Sequence, residues 1–112
     1  MLLKTNSEIK FLWTTHSKQK LRQYRFSERR VLSIIKRPDR KEEGIAQGTI
    51  ATMQITGTKK NPTEAWAMYV TLKAPKGIKI ISTWRYPGRT PEGSCPNIPE
   101  DVMEELYKEI NN

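Results

Sequence analysis

The segment between Ser27 and Pro38 carries signals for both ends of a helix, and it constrains the fold more than any other part of the chain. Ser27 is a good N-cap, because its hydroxyl can accept a hydrogen bond from an unpaired amide of the first turn. Phe26 can pack against Val31 as a hydrophobic staple. Pro38 ends the helix, since the residue before a proline is pushed out of the helical region. The apolar face consists of Val31, Leu32, Ile34 and Ile35.

Another helix is predicted just before this one. Thr14 or Thr15 can cap it, and the pattern extends to about Tyr24. Leu21 and Tyr24 are its only clear apolar residues, and its other face is basic. We therefore expect this helix to lie at the surface rather than in the core.

Later in the chain the apolar residues recur with a period of two, which is typical of strands. Residues 45–56 form one candidate strand, interrupted by Gly48. Residues 65–72 alternate in the same way, and residues 78–86 follow after a turn as the partner strand of a hairpin. This part of the chain therefore predicts an antiparallel sheet.

Residues 98–112 are predicted to contain a third helix, because Pro99 suits a first helical turn. The apolar stripe of this helix consists of Val102, Leu106 and Ile110. With a short strand at residues 9–13, the element order is β-α-α-β-β-β-α. The expected fold is a single α+β domain over residues 1–112, with an antiparallel sheet and helices packed on it.

Charge is unevenly distributed along the chain, whose formal net charge is +8. Residues 1–41 carry twelve Lys and Arg against three Asp and Glu. Residues 98–112 carry one Lys against five Asp and Glu. This asymmetry favours a polyanionic partner, such as a nucleic acid, over a basic surface that has no partner.

The sequence lacks the signals of several classes of protein. No apolar run approaches the ~18 residues of a membrane span, and residues 1–6 lack the apolar region of a secretory signal. The single cysteine, Cys95, excludes an intramolecular disulfide. No Gly-rich phosphate loop or metal-spaced cluster is present. We expect a cytoplasmic protein with no membrane partner, metal or cofactor.

One run of spaced residues spans both predicted N-terminal helices: Thr14-x-His16-x-x-x-Lys20-Leu21-x-x-x-x-Phe26-Ser27-x-x-x-Val31-x-x-x-Ile35-x-x-Pro38. It resembles the helix pair of small bacterial domains related to the RelE and BrnT toxins. A second run, Lys79 to Gly88, is similar to the third strand of that group. The resemblance covers about residues 9–90.

The resemblance implies a RelE-like fold and a toxin-like endoribonuclease of a toxin–antitoxin pair. Such a protein cleaves RNA by metal-independent transesterification and is neutralised by a small antitoxin protein, which implies RNA and an antitoxin as partners. The catalytic set varies between members of the group. Toxins of this group often end in short elements that carry catalytic or antitoxin-contacting groups, and the acidic C-terminal helix of this chain departs from that pattern. Its negative charge would make a poor contact with RNA.

Cleavage of this kind needs a base for the 2′-hydroxyl, cations for the charged phosphorane and an acid for the leaving 5′-oxygen. His16 is the candidate base or acid, because the pKa of histidine lies near working pH. Arg85 can clamp a phosphate oxygen. Thr83 or Tyr86 can orient the ribose or the scissile phosphate. The alternative interpretation of His16 is a structural residue.

Trp84 and Arg85 point to opposite faces of a regular strand. Either Trp84 packs in the core and Arg85 faces a substrate, or Arg85 is solvated and Trp84 stacks on a base. The first arrangement is favoured, since tryptophan is highly buried on average.

The candidate residues for holding RNA phosphates are Lys18, Lys20, Arg22, Arg25 and Arg29. Two alternatives to the ribonuclease hypothesis remain. In the first, the chain is a non-catalytic module of the same fold that binds nucleic acid or an acidic partner. In the second, it is an interaction or structural protein whose acidic C-terminal helix docks on a basic face of its own or another subunit.

Overall fold

The computed structural model describes residues 9–43, 48–73, 76–91 and 98–110. They form an α+β domain whose elements, in chain order, are β1 (Lys10–Trp13), α1 (Thr15–Tyr24), α2 (Glu28–Lys36), β2 (Arg40–Glu43), β3 (Thr49–Gly57), β4 (Pro62–Lys73), β5 (Lys76–Pro87) and α3 (Glu100–Ile110). Cys95 and the predicted strand residues 45–47 lie outside the described ranges. No helix within these ranges has the length and apolar character needed to cross a membrane.

The two N-terminal helices begin at the predicted caps. The Thr14 hydroxyl accepts a hydrogen bond from the Ser17 amide at 2.9 Å, and the Ser27 hydroxyl accepts one from the Arg30 amide at 3.0 Å. Helix α1 ends at Arg25, which adopts the left-handed conformation with φ 59°. The chain therefore turns sharply from α1 into α2.

The sheet is mixed, so the prediction of a purely antiparallel sheet is wrong for one strand. Its order is β1-β5-β4-β3-β2; the strands from β2 to β5 form an antiparallel meander, whereas β1 pairs with β5 in parallel. Helices α1 and α2 carry the chain from β1 to the opposite edge of the sheet. The returning meander then places β5 beside β1 in the same direction.

Strand β2 was not predicted, because its sequence, Arg-Lys-Glu-Glu, has no apolar alternation. It pairs with β3 at an edge of the sheet, with Arg40 opposite Met53. Charged residues are common on edge strands, where they discourage pairing with other chains.

The sheet separates two hydrophobic cores. On one face, α2 packs its buried side against the sheet, and Phe26 and Val31 lie in the same cluster, as the predicted staple requires. On the other face, α3 packs Val102 and Leu106 against the stacked pair Trp66 and Trp84. Both faces of the central strands are thus covered.

Helix α1 lies along the part of β5 that β1 does not reach. Strand β1 pairs with β5 only as far as Ile80. From there the Thr14 hydroxyl donates to the carbonyl of Ile80, and the Arg85 guanidinium donates to the carbonyl of Tyr24 at the other end of α1. Helix α1 therefore lies at the sheet edge, between the layers formed by α2 and α3.

A buried carboxylate ties the segment after β5 to the sheet. Glu64 of β4 is 1% exposed. Its Oε1 accepts hydrogen bonds from the Trp66 indole at 3.0 Å and the Thr90 hydroxyl at 2.7 Å, and its Oε2 accepts one from the Thr90 amide at 2.8 Å. A buried carboxylate with three donors has a structural role.

Candidate nucleic-acid interface

The basic residues of α1 and of the start of α2 are divided between two environments. Lys18, Arg22, Arg25 and Arg29 are exposed, and we call these four residues the basic face. Lys18 and Arg22 are four residues apart, which places them on one side of α1, and Arg25 follows at the left-handed turn that ends the helix. Among the described residues, none of the four forms an ion pair. They are four of the five residues predicted to hold RNA.

The fifth predicted RNA contact, Lys20, is not available to a ligand. It is only 7% exposed, forms an ion pair with Asp101 of α3, and donates a hydrogen bond to Gln23 at 2.7 Å. Its ammonium also lies 5.7 Å from the centre of the Tyr24 ring. A buried ammonium must be paired, and α3 provides the partner. Lys20 is therefore held at the contact between α1 and α3 and is not part of the basic face.

The pairing with Lys20 also sets the charge state of Asp101. Burial alone would raise the pKa of this carboxyl group. The hydrogen bond from Lys20 and the positive charge of Lys20 outweigh burial and lower the pKa of Asp101 below its usual value. Asp101 is therefore ionised at neutral pH and neutralises the lysine.

Three acidic residues of α3 form a row that faces α1 and β5. Asp101, Glu105 and Glu109 are four residues apart and so lie on one side of the helix. They meet Lys20, His16 and Lys79 respectively, with a Glu109–Lys79 distance of 2.8 Å. Lys20 and Lys79 thus compensate the charges of Asp101 and Glu109 within the molecule, so these two carboxylates do not oppose the basic face.

His16 connects α1 to both β5 and α3. Its Nε2 lies 3.0 Å from the Ser82 hydroxyl, and its Nδ1 lies 3.7 Å from Oε1 of Glu105. The side chain is 12% exposed. Burial lowers the pKa of the imidazole below its usual value of 6.5, although the negative charge of Glu105 acts in the opposite direction. The neutral imidazole therefore predominates at pH 7.

These three side chains have the order of a serine–histidine–carboxylate set, but Ser82 cannot act as a nucleophile in this arrangement. Ser82 is completely buried and lines neither of the cavities beside His16. A nucleophile must reach its substrate. The Ser82 hydroxyl therefore orients the imidazole.

A cleft of about 410 Å³ lies beside His16, between α1 and α3. The carboxylates of Asp101, Glu104 and Glu105 line it together with Lys20 and Lys108. The three carboxylates outnumber the two lysines, so the cleft has a net negative charge that disfavours a phosphate group. The cleft is therefore a less favourable phosphate site than the outer side of α1.

A second depression, of about 370 Å³, lies where α1 turns into α2. Its lining residues are Arg25, Phe26, Ser27, Arg30, Thr56 and Arg85. We call it the arginine depression. Three of the six residues are cationic and none is acidic, and Arg25 connects it to the basic face. Its chemistry is that of an anion site.

Arg85 lines this depression, and that it faces a substrate stays a prediction. Trp84 is 1% exposed and packs in the core under α3, which confirms that part of the prediction. The Arg85 guanidinium lies 4.5 Å above the Phe26 ring, and its Nη2 donates to the Tyr24 carbonyl at 3.2 Å. Two contacts therefore hold the guanidinium in place.

The four residues predicted to be catalytic do not come together. His16 lies in the first turn of α1, whereas Arg85 contacts Tyr24, the last residue of α1. The rise along the helix from His16 to Tyr24 is about 12 Å. Thr83 is completely buried, and its hydroxyl donates to the Trp66 carbonyl. Tyr86 packs against the α3 core, on the face opposite to Arg85. Thr83 in particular has no access to a substrate.

Residues that the sequence interpretation did not assign to the site define its geometry. Glu105 and Ser82 hold His16. The spacing of the acidic residues in α3 was visible in the sequence. Nothing local to that helix identified the side chains it would meet.

Comparisons with protein-family models, curated proteins and solved structures return no match for this chain. Among the described residues, no three His, Cys, Asp or Glu side chains are grouped closely enough to hold a metal ion.

Proposed function

We propose that the protein binds the phosphate backbone of RNA through its basic face. One observation carries this proposal: α3 neutralises the inward cation Lys20, whereas the four cations of the basic face point to solvent without an acidic partner among the described residues. A row of unpaired cations attracts a polyanion because binding releases the polyanion's condensed counterions.

The choice of RNA rests on the resemblance of the helix pair to RelE and BrnT domains, and we propose that the chain is a domain of this type. The order of β1, α1 and α2 before an antiparallel meander supports this assignment. The mixed sheet covered on both faces is compatible with it.

We expect RNA affinity to fall steeply with salt, and to fall less steeply when three of the four residues of the basic face are neutralised. The variant combines Lys18→Gln, Arg22→Gln and Arg29→Gln. Each phosphate contact on a single strand contributes about 0.7 to the slope of log affinity against log salt, so the slope is expected to fall by about 2. Fluorescence anisotropy of a labelled single-stranded RNA at several salt concentrations measures it.

The matched control removes three exposed cations elsewhere, with Lys59→Gln, Lys60→Gln and Lys73→Gln. It changes the net charge equally, so it separates a local site from a general charge effect. Equal losses in both triple variants would contradict a defined face. Absence of RNA binding by the parent protein at low salt would contradict the proposal itself.

A second candidate function is metal-independent cleavage of the bound RNA, with His16 as the general base. The observation that favours it is the environment of the imidazole. Ser82 occupies Nε2, which leaves Nδ1, on the side of Glu105 and the cleft between α1 and α3, as the nitrogen that would take the proton, and the lowered pKa keeps the base form populated. The carboxylates of that cleft oppose the entry of a phosphate, which places cleavage second to binding. Arg85 is not part of this candidate site, because it contacts the other end of α1.

Cleavage through His16 would give a 2′,3′-cyclic phosphate in the presence of EDTA, and His16→Ala would slow it by about 10² to 10⁴. Because burial lowers the pKa of His16, the rate would decline on acidification only at a lower pH than for an ordinary histidine. Gln19→Ala, in the same cleft, is the matched control. If the RNA stays intact after long incubation, the cleavage hypothesis is rejected and only the binding function remains.

A further inference from the structure

The charge of the arginine depression exceeds what one backbone phosphate requires. Arg25, Arg30 and Arg85 line a single space, and no carboxylate lines it. A phosphodiester carries one negative charge. A phosphomonoester carries about 1.5 to 2 negative charges at pH 7 and offers three strong acceptor oxygens. Three guanidinium groups therefore match a phosphomonoester better than a diester.

The depression is built on a rigid turn. The amide of Phe26 donates to the Leu21 carbonyl at 2.9 Å, which closes the end of α1 and sets the left-handed backbone of Arg25. Ser27 caps α2 directly after it. A fixed backbone lowers the entropy lost when a ligand binds.

Arg85 is the most constrained of the three arginines. Stacking on Phe26 and one hydrogen bond to the Tyr24 carbonyl hold its guanidinium at the wall of the depression. A guanidinium has five N–H donors. The hydrogen bond to the Tyr24 carbonyl uses one donor and leaves four, so Arg85 can bind two phosphate oxygens at once.

We propose that the arginine depression binds a phosphomonoester, namely the terminal phosphate of an RNA strand that continues along the basic face. This inference rests on the proposed function. Arg25 belongs to both surfaces, and Lys18 lies seven residues earlier on α1, a rise of about 10 Å. A strand anchored at its end in the depression thus meets the basic face within a few nucleotides.

The test compares three RNA oligonucleotides of one sequence, with a 5′-phosphate, a 3′-phosphate or hydroxyl groups at both ends. We expect one phosphorylated strand to bind at least about tenfold more tightly than the hydroxyl strand. Arg85→Gln and Arg30→Gln should abolish this preference, whereas Lys18→Gln should weaken all three strands by a similar factor. Equal affinity for the three strands would overturn the inference and leave the proposed function intact.

A second measurement covers the outcome in which no RNA binds, which would refute the proposed function. Adenosine monophosphate is then titrated into the protein while the amide resonances of Phe26 and Ser27 are followed by NMR. Saturable shifts that Arg85→Gln removes would identify a free nucleotide as the source of the phosphate. No saturable shift would overturn the inference as well. Circular dichroism of each variant verifies that its fold is intact.

Discussion

Replacing Glu64 with alanine is expected to lower the free energy of unfolding by about 2 to 4 kcal/mol. The carboxylate is buried and accepts hydrogen bonds from the Trp66 indole, the Thr90 hydroxyl and the Thr90 amide. Its removal leaves three donors without an acceptor, and each buried unsatisfied group costs about 1 to 3 kcal/mol. Water can reach the freed Thr90 groups once the segment loosens, so the sum is smaller than three full penalties.

Denaturant unfolding followed by tryptophan fluorescence measures the loss, since Trp66 lies beside the site. The matched control is Glu43→Ala, which removes an exposed carboxylate paired with Lys41 on β2. Exposed ion pairs contribute little, so this variant is expected to stay within about 0.5 kcal/mol of the parent. A Glu64 variant as stable as the control would show that the three hydrogen bonds do not hold the segment after β5.

Replacing Leu106 with alanine is expected to cost about 2 to 5 kcal/mol and to leave RNA affinity unchanged. Leu106 is 1% exposed and lies with Val102, Trp66 and Trp84 in the core between the sheet and α3. Loss of its side chain leaves a cavity in that core. The basic face lies on the outer side of α1 and does not contact this cavity.

This variant also tests whether the acidic helix is a removable cover over cations. Tyr107→Ala is the matched control, because Tyr107 follows Leu106 in the same helix and is 56% exposed. It is expected to change the free energy of unfolding by no more than about 0.5 kcal/mol. A removable cover would give the opposite pattern, in which Leu106→Ala raises RNA affinity without a large loss of stability.

The elements that the sequence predicted correctly are those whose signals, such as a cap, a proline or an alternating pattern, lie within the element or directly beside it. Ser27 caps its own helix, Pro38 ends the same helix, and alternation predicts β4 and β5 without knowledge of their neighbours. Strand β2 was missed because it has no such pattern; it is a strand because β3 offers an edge to pair with. The parallel pairing of β1 likewise depends on the path of the whole chain.

Prediction of the site was less complete, for a related reason. Lys18 and Lys20 are indistinguishable as basic residues of one helix. The structure exposes Lys18 and buries Lys20 against Asp101, which belongs to the last helix of the chain. Thr83 and Arg85 were assigned to one strand face, but only Arg85 reaches solvent, because Thr83 is completely buried and donates its hydroxyl to the Trp66 carbonyl.

The sequence by itself determined the helix pair, the alternating strands and the excess of positive charge in the N-terminal half. It did so because caps, periodicity and charge density are properties of neighbouring residues. The tertiary structure alone decided which cations lack an acidic partner within the described part of the chain, and that His16 and Arg85 lie at opposite ends of α1. Burial and ion pairing depend on side chains distant in the sequence, and only the folded chain brings those together.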